Sequence, residues 1–253
     1  MENILARNIK DAMKKCKADG KVIRKWGRII IETEDYKKIK NALTRVFGII
    51  SFSPAIKIKL DELKEYIRKN AKSMVKGRTF AVRVKRSGIH PFTSKDMEIE
   101  LGQIVVDETR KKVNLSKPDS TIHVEIRDDE AFIYSEIVKG VGGMPLGTEN
   151  RVLCEISNKN DLVACWLMMK RGCKPIIQSK ISTKILDKWS YGLTLKMISK
   201  KEYEKLKDLP KVKGYTLEKD LKKIKLTSNL VFMPLVAMKQ KEINEIYNKI
   251  KNT

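Results

Sequence analysis

The stretch FAVRVKRSGIHPFTSKDMEIELG (Phe80–Gly102) sets the pattern for the middle of the chain. Phe80–Lys85 alternates apolar and basic residues, which predicts a half-buried strand, and Arg86 then completes a pair of cations at its end. Ser94–Val113 repeats apolar residues at helical spacing, and its first residue is the predicted cap. The stretch therefore predicts a strand followed by a helix.

A hairpin and a glycine-rich boundary follow this pair. Ile122–Arg127 and Ala131–Val138 alternate in polarity and are separated by Asp128-Asp129, which predicts two antiparallel strands joined by a tight turn. Gly140–Gly147 reads GVGGMPLG and has too many glycines for a regular element. We therefore expect a boundary there.

The flanking segments have different patterns. Residues 1–60 predict the order α-β-β-α-β, with Ile49–Leu60 as the last, extended piece. From Arg151 onward the pattern is βαβ-like, with strands at Val152–Ile156 and Lys174–Gln178 around a helix at Leu162–Lys170. A further strand is predicted at Leu193–Ile198, and the charged residues 211–225 are predicted to be partly a surface excursion.

Four segments carry a resemblance to a known family. Phe80–Pro145 closely resembles a THUMP domain, a tRNA-binding module, in the version found in tRNA 4-thiouridine synthetases (tRNA sulfurtransferases). RIIIETEDYKKIKNALTRVFGIISFSPA (Arg28–Ala55) resembles the ferredoxin-like domain ahead of it in that family. LVACWLMMKRGCKP (Leu162–Pro175) and NLVFMPLVAMKQKEINEIYNKI (Asn229–Ile250) resemble the family's nucleotide-binding PP-loop domain.

The resemblance implies an α/β protein with an α+β N-terminal half and three domains. These are a ferredoxin-like domain at residues 1–60, a THUMP RNA-binding domain at 61–147, and a reduced Rossmann-like PP-loop domain at 148–253. The first domain lacks the opening strand of βαββαβ, which would lie inside its sheet. Either the true start lies upstream or the neighbouring strands close up into an altered sheet, and the sequence leaves both open.

The net charge of +23 favours a polyanionic partner. Residues 1–60 carry +9, residues 61–147 carry +2, and residues 148–253 carry +12. Each phosphate that a cation neutralises releases a condensed counterion, which favours binding. A lysine-rich composition with no ligand attached is the alternative, and the THUMP resemblance favours RNA.

One loop departs from the family in a way that bears on chemistry. The family's phosphate-binding loop has the form SGGxDS, and its glycines let backbone amides converge on phosphate oxygens at a helix N-terminus. The residues at that place here are Ile156, Ser157, Asn158, Lys159, Asn160 and Asp161. Neither glycine is present, and shifting the alignment by one residue does not restore one. The loop therefore predicts a capped strand-to-helix turn without productive ATP binding, and Lys159 is a candidate contact to an RNA phosphate.

The cysteines give a second departure. The family carries its persulfide on a Cys in the later half of the PP-loop domain, whereas this chain has none after Cys173. Cys16, Cys154, Cys165 and Cys173 lack CxxC spacing, which predicts free core thiols rather than metal ligands or a disulfide. Two losses together imply an inactive relative of the enzyme. We expect no cofactor, or ATP and Mg²⁺ if the ATP chemistry survives.

The candidate RNA-binding residues are mostly cations. On the predicted THUMP strand, Arg83 and Lys85 share a face and Arg86 follows them. The other candidates are Arg24, Lys25 and Arg28 around the Trp26-Gly27 turn, and His90, Lys95, Lys139, Gly142 and Gly143. The glycine amides are candidates to hold a phosphate or a 3′-end ribose, and Trp26 is a candidate to stack on a base. The alternatives are solvated strand ends, a structural histidine before proline, and a packed indole.

These observations predict a tRNA-binding protein that recognises the acceptor-stem region and supports tRNA thiolation without its own ATP chemistry. A divergent ATP-dependent tRNA sulfurtransferase making 4-thiouridine is one alternative, and a non-specific basic RNA-binding protein is another. A tRNA-modifying enzyme or a sulfur carrier is an expected protein partner, and a homodimer is implied by the resemblance alone. Without a run of about 18 apolar residues or a signal-peptide pattern, we expect no membrane contact and a cytoplasmic protein.

Overall fold

A computed structural model describes residues 1–25, 27–206, 208–223 and 230–253. The chain forms two compact units. Met1–Ser51 and Lys139–Thr253 make the first unit, and Phe52–Val138 makes the second. The two ends of the sequence therefore fold together, and the middle of the chain forms a unit of its own.

The first unit begins with a helix, a hairpin and a second helix. The elements are α1 (Glu2–Lys15), β1 (Lys21–Lys25), β2 (Arg28–Glu32), α2 (Tyr36–Leu43) and the short strand β3 (Ser51–Phe52). Strands β1 and β2 are antiparallel and form a two-stranded sheet. Helix α1 turns its apolar side inward, as its periodicity predicts, and buries Ala6, Ile9, Ala12 and Met13. The predicted Trp26 turn and its stacking role lie outside the described residues.

The predicted third strand of this small sheet is wrong. The segment after α2 is held by the glycine-rich loop instead, because the carbonyls of Ile49 and Ile50 accept hydrogen bonds from the amides of Gly142 and Gly140 at 2.8 and 2.9 Å. Residues 49–60 consequently form two separate short strands rather than one extended piece. The described residues of this domain therefore form a sheet of two strands, β1 and β2, and both alternatives for its missing strand stay open.

The second unit is a five-stranded sheet with two helices. Its elements are β4 (Ile56–Lys59), α3 (Leu63–Met74), β5 (Thr79–Ser87), α4 (Ser94–Thr109), β6 (Lys112–Val113), β7 (Ser120–Arg127) and β8 (Glu130–Tyr134), with β9 (Val138–Lys139) at the return to the first unit. The strand order is β4-β8-β7-β5-β6, in which β5 and β7 are parallel and the β7–β8 hairpin is antiparallel. The predicted strand and hairpin are confirmed, but β8 ends at Tyr134, and the predicted end of its strand at Val138 is wrong because that residue belongs to β9.

Both helices of this unit pack on one face of its sheet. Leu63 and Ile67 of α3 and Leu101 of α4 lie in one buried cluster with Val84 and Val124 of the central strands. The predicted end of α4 is wrong, because Arg110 adopts a left-handed conformation with φ 57° and Lys112–Val113 then pairs with β5. Its cap is Thr93 rather than Ser94, since Thr93 and Asp96 exchange the two hydrogen bonds of a capping box.

The rest of the first unit is a parallel α/β layer. Its elements are β10 (Arg151–Ile156), α5 (Lys159–Lys170), β11 (Lys174–Ser179), a 3₁₀ turn at Lys184–Trp189, β12 (Lys196–Met197), α6 (Lys200–Lys205), β13 (Lys211–Val212), α7 (Leu217–Asp220), a 3₁₀ turn at Leu221–Lys223, β14 (Val231–Phe232) and α8 (Gln240–Asn252). The strand order is β12-β11-β10-β13-β14, with parallel pairing throughout. The predicted strand at Leu193–Ile198 shrinks to β12. The predicted surface excursion at 211–225 contains β13 and α7, and its last two residues lie outside the described ones.

The topology of this layer places a crevice between β10 and β13. From β10 the chain moves to β11 and β12 on one side, and it later adds β13 and β14 on the other. The carboxyl ends of β10 and β13 therefore flank a topological switch point, where parallel α/β sheets usually bind ligands. Helix α5 is buried along most of its length beneath this crevice, and its Trp166 packs edge-on against Trp189. Across the described ranges, no helix has the length and apolar content needed to span a bilayer.

Candidate nucleic-acid interface and strand-end crevice

The cations of β5 lie as predicted at the surface of the second unit. Strand alternation places Arg83 and Lys85 on the sheet face opposite α3 and α4, with Arg83 half-buried and Lys85 exposed. Arg83 donates a hydrogen bond to the carbonyl of Leu115 at 2.5 Å, and exposed Arg86 donates one to the carbonyl of Gly88 at 3.2 Å. These two contacts hold the guanidinium groups of Arg83, in the middle of the strand, and Arg86, near its end, in place.

The second candidate group, His90 and Lys95, has structural contacts of its own. His90 donates a hydrogen bond from Nε2 to the carbonyl of Asp128 at 2.7 Å, which connects its loop to the hairpin turn. The ring centroids of His90 and Phe92 are 5.2 Å apart. Lys95 forms an ion pair with Glu98 at 3.6 Å. These contacts account for His90 without RNA, and its binding role remains a prediction.

The N-terminal basic group is divided by its hairpin. Lys25 and Arg28 are directly opposite each other in the β1–β2 register and share a face. Arg24 is opposite Ile29 and points to the other face, because neighbouring side chains alternate along a strand. The predicted patch is therefore a pair of cations plus a separate exposed arginine.

The glycine-rich loop uses its backbone internally. The amide of Gly142 donates to Ile49, and that of Met144 donates to the carbonyl of Lys170 at 2.8 Å. The prediction that Gly142 offers its amide to RNA is therefore corrected, because that amide already has an acceptor. Gly143 has φ 83°, and a Cβ there would collide with the carbonyl of Lys170, so this site needs glycine for packing. Exposed Lys139 precedes the loop.

The predicted nucleotide loop forms a turn between β10 and α5 that ends in a side-chain helix cap. Ile156 is the buried last residue of β10, and the side chain of Asn158 caps α5 by accepting from the amide of Asp161 at 3.1 Å. Helix α5 begins at Lys159, three residues before its predicted start. Lys159 donates to Asn244 of α8 at 2.9 Å and lies 4.4 Å from the ring centroid of Tyr247.

The Asp161 carboxylate occupies the backbone hydrogen-bond donors on both sides of the crevice. It accepts a hydrogen bond from the amide of Ser157, after β10, and another from the amide of Gly214, after β13, both at 3.1 Å. Asn160 in turn accepts from Gln240 of α8 at 3.3 Å. The carboxylate thus occupies backbone donors at the place where a phosphate oxygen would need them.

Gly214 fills the space above the first turn of α5. A Cβ at this position would lie 2.5 Å from the carbonyl carbon of Asn160 and from the amide nitrogen of Asp161. The backbone of the 213–216 segment therefore packs directly on the loop. With a carboxylate on the amides and a backbone against the helix start, the residues present do not fit a triphosphate.

An ion pair lies beside this closure. Lys213 donates to Glu155 at 2.7 Å, and both side chains are only partly exposed. The hydrogen bond from Lys213 lowers the pKa of Glu155, with Lys180 and Lys211 adding to the effect. Burial opposes the charge of Lys213, but the hydrogen bond and the negative charge of Glu155 outweigh it and raise the pKa of Lys213.

The cysteines are packed rather than reactive. Cys154, Cys165 and Cys173 are buried, and Cys16 is half-buried. A hydrogen bond with Cys165 and burial raise the pKa of Cys154 well above its ordinary value, and burial raises the pKa of Cys173. Thiolate formation, which nucleophilic sulfur chemistry needs, is disfavoured at both sites. A search over the described part of the chain finds no group of three or more His, Cys, Asp or Glu side chains able to hold a metal ion.

Sequence reasoning missed several residues that shape these two regions. Gly214 closes the crevice and Lys213 pairs with Glu155 beside it, although both residues stand more than 50 positions after the loop and belong to no motif. His123 and Tyr134 lie beside Arg83 on the sheet face opposite α3 and α4, where their rings stack. The available signal was the alternation of the β7–β8 hairpin, which places both rings away from the core.

The N-terminal half of the chain matches two known domains. Residues 1–53 match the ThiI ferredoxin-like domain, and residues 57–136 match the THUMP domain. Together with the parallel, Rossmann-like layer that follows, these matches define a THUMP-domain protein with a ferredoxin-like N-terminal domain.

Full-length relatives identify the family. The chain is 32% identical over 305 aligned positions to a probable tRNA sulfurtransferase of Saccharolobus islandicus strain M.16.27, with 98% of this chain and 80% of the relative covered. It is 41% identical over 184 residues to the probable tRNA sulfurtransferase of Methanothermobacter thermautotrophicus, with 69% and 46% covered. The chain belongs to the tRNA sulfurtransferase family.

The chain is shorter than many of these relatives. It spans about half the length of the Methanothermobacter protein. The 305-position alignment is longer than the chain of 253 residues, so the Saccharolobus relative contains internal segments that this chain lacks.

Solved structures share the fold. PH1313 from Pyrococcus horikoshii Ot3 superposes with a TM-score of 0.83 at 27% identity, with 98% of this chain and 92% of that one covered. A 4-thiouridine synthetase in complex with RNA and bound ATP superposes with a TM-score of 0.80 at 23% identity, covering 98% and 79%. The second match establishes the shared fold alone.

Proposed function

We propose that this protein binds tRNA in the acceptor-stem region and supports tRNA thiolation without carrying out the ATP-dependent step itself. Its ferredoxin-like and THUMP domains would make the specific contacts, and its basic C-terminal region would add phosphate contacts. Membership of the tRNA sulfurtransferase family and the THUMP match support the RNA-binding part. The domain limits we propose are residues 1–60, 61–147 and 148–253.

The proposed RNA contacts are the cations described above, with Lys85 and Arg86 at the end of β5 as the principal pair. Both are exposed, and Lys85 shares the sheet face opposite α3 and α4 with Arg83. Cations grouped at a surface favour a phosphate backbone. The net charge of +23 adds a long-range attraction for any polyanion.

The observation that carries the second part is the Asp161 carboxylate, which bridges the amides of Ser157 and Gly214. An ATP phosphate at this turn would have to displace a carboxylate from its own donors and would meet the backbone of Gly214. We therefore assign no ATP- or Mg²⁺-dependent step to this crevice. A separate tRNA-modifying enzyme or sulfur carrier would supply the reaction.

Two measurements on the full chain test the proposal. We expect isothermal titration with ATP–Mg²⁺ to give no binding heat, and tight ATP binding would contradict the second part. In gel shifts, we expect tRNA to bind more tightly than a stem-loop that lacks the CCA end. Equal affinity for the two RNAs would contradict the first part.

A divergent ATP-dependent tRNA sulfurtransferase is the second candidate, and family membership favours it. Incubation of the protein with tRNA and ATP separates the two, because only an enzyme would produce an adenylated nucleotide. A non-specific basic RNA-binding protein is the third candidate. Flat affinity across RNAs with a steep salt dependence would identify it.

A further inference from the structure

Strand β2 of the ferredoxin-like domain is apolar at its centre and charged at both ends. It reads RIIIE (Arg28–Glu32), with the three isoleucines half-buried and the two charged residues exposed. A short run of β-branched apolar residues is typical of a strand with neighbours on both sides. Among the described residues, however, β2 pairs with β1 alone, in a sheet of two strands. One edge of β2 therefore lacks a partner strand in the described part of the chain.

The register of the hairpin shows which residues of β2 face that edge. Lys25 and Arg28 are paired on either side of a two-residue connection. Such a closing pair is hydrogen-bonded, and bonded and non-bonded pairs then alternate along an antiparallel ladder. Every second residue after Arg28 consequently bonds to β1, whereas Ile29 and Ile31 turn their N–H and C=O groups to the outer edge. An edge of this kind is a template for a further strand.

The sequence of β2 is complementary to itself in the antiparallel direction. When two copies of the strand are aligned about Ile30, Ile29 of one copy lies opposite Ile31 of the other, and their outward backbone groups form hydrogen-bonded pairs. Arg28 of one copy then lies opposite Glu32 of the other, twice, because the arrangement has twofold symmetry. These are non-hydrogen-bonded positions, where the Cα atoms are only about 4.5 Å apart and opposite charges stabilise the pair.

The contacts that the charged residues have inside their own copy are compatible with this pairing. Arg28 donates a hydrogen bond to the carbonyl of Gly27 at 3.3 Å, and Glu32 is opposite Lys21 in the hairpin register. A guanidinium has five N–H donors and a carboxylate accepts through two oxygens, so each group can make a second contact across the axis. The backbone edge and the isoleucines carry the pairing, and the charges set its register.

We propose that a second copy of this chain pairs with the outer edge of β2, which joins the two hairpins into a four-stranded antiparallel sheet around a twofold axis. A two-stranded sheet is marginally stable by itself, whereas three or more strands with an apolar face are stable. The contact uses the same strand of both copies, so it closes at a dimer. The inference goes beyond the proposed tRNA binding and does not rest on it.

Sedimentation equilibrium of the full chain without RNA tests the proposal. A net charge of +23 on each copy opposes association, so the salt concentration is set to about 150 mM, where charges more than about 8 Å apart are largely screened. We expect a reversible equilibrium between monomer and dimer from micromolar to millimolar protein. A monomer at every concentration would rule the proposal out.

A charge exchange assigns the dimer to β2. Arg28→Glu places two pairs of glutamates across the axis and Glu32→Arg places two pairs of arginines there, so we expect each to weaken dimerisation about tenfold. The double variant Arg28→Glu/Glu32→Arg restores opposite charges and should restore the dimer. Exposed Lys37 lies on α2, and Lys37→Glu makes the same charge change as Arg28→Glu without affecting the equilibrium. If both single reversals keep the wild-type equilibrium, the dimer does not form through β2.

Hydrogen exchange of the wild-type chain covers the case in which a variant fails to fold. We expect the amides of Ile29 and Ile31 to be protected in the dimer and to lose protection on dilution, while the amide of Ile30 stays protected by β1. Protection of Ile29 and Ile31 that does not change with concentration would mean that the same chain covers the edge, and the proposal would be wrong. Unprotected amides in a sample that is dimeric by sedimentation would place the interface elsewhere.

Discussion

The crevice of the first unit and the sheet face of the second unit opposite α3 and α4 use polar side chains in opposite ways. In the crevice, Asp161 binds the amides of Ser157 and Gly214, and Lys213 pairs with Glu155. On the sheet face, Arg83 and Lys85 stand beside a stacked ring pair while the acidic groups pair with other cations. One region satisfies its backbone donors with its own carboxylate, and the other carries the cations that the proposed RNA binding would use.

The difference teaches how backbone donors at a strand end can be satisfied without a ligand while the fold is kept. Backbone amides at a strand end need a hydrogen-bond acceptor, and either a ligand or a side chain of the protein can provide one. A carboxylate on the first turn of a helix interacts favourably with the helix dipole, as a bound phosphate oxygen also does. The Rossmann-like layer can therefore keep its architecture while its crevice is filled by its own residues.

Removal of the Asp161 carboxylate should have the largest effect. Asp161→Ala leaves two backbone amides without their acceptor, and we expect it to lower the free energy of unfolding by about 2 kcal/mol. Urea denaturation measures this change. Ser157→Ala is the matched control, because it keeps the amide and should change stability by less than about 0.5 kcal/mol. Equal effects of the two substitutions would contradict the closure by Asp161.

The sequence predicts the turn at positions 156–161, but it does not predict that a distant segment closes the crevice above this turn. The absence of glycine and the capping residues are local properties of positions 156–161, and the turn forms as they indicate. The closure depends on Gly214, which comes close to Asp161 only once β13 pairs with β10. No local periodicity encodes that approach.

The same limit applies elsewhere in the chain. The strand, helix and hairpin of the second unit follow from periods of two and 3.6 residues, so they were predictable. The fate of residues 49–60 was not, because the glycine-rich loop competes for the carbonyls of Ile49 and Ile50 from 90 positions away. The His123–Tyr134 contact likewise requires the register of the hairpin, which alternation alone leaves open.

Breaking the ion pair should have the next largest effect and should depend on pH. Lys213→Met leaves Glu155 without its partner, and we expect a loss of about 1 kcal/mol at neutral pH. The pKa of Glu155 in the folded protein lies below its ordinary value of 4.5, so the pair stabilises the fold fully above that pH. The stabilisation disappears as the pH falls through the lowered value.

Thermal unfolding of Lys213→Met and wild type between pH 3 and 7 measures this dependence. The gap between the two proteins should be widest near neutrality and should close below pH about 4.5. A gap that stays constant over the whole range would show that the effect of the substitution comes from packing rather than from charge.

On the sheet face, removal of a cation should weaken RNA binding and leave stability nearly unchanged. We expect Lys85→Ala to lower tRNA affinity about three- to tenfold at 100 mM salt, and to reduce the slope of log K against log salt by about 1. Lys72→Ala makes the same charge change on α3, which packs on the other face of the sheet, and should have less effect. Equal losses for both would indicate attraction by net charge alone.

The smallest effect should be the titration of His123. Burial and the positive charges of Lys85 and Arg83 place its pKa below the ordinary 6.5 in the folded protein, whereas the unfolded chain has no such environment. The unfolded state therefore binds the proton first as the pH falls. Protonation of His123 should lower the free energy of unfolding progressively between about pH 6.5 and the lowered pKa of the folded protein.

An NMR titration of the His123 ring protons measures the pKa in the folded protein directly. Lys85→Ala removes one of the two cations and should move that pKa upward by a few tenths of a unit, since exposed charges are screened by solvent. A folded pKa at or above 6.5 would mean that the cations do not act on this ring, and the sheet face would then lack the local positive field that distinguishes it from the closed crevice.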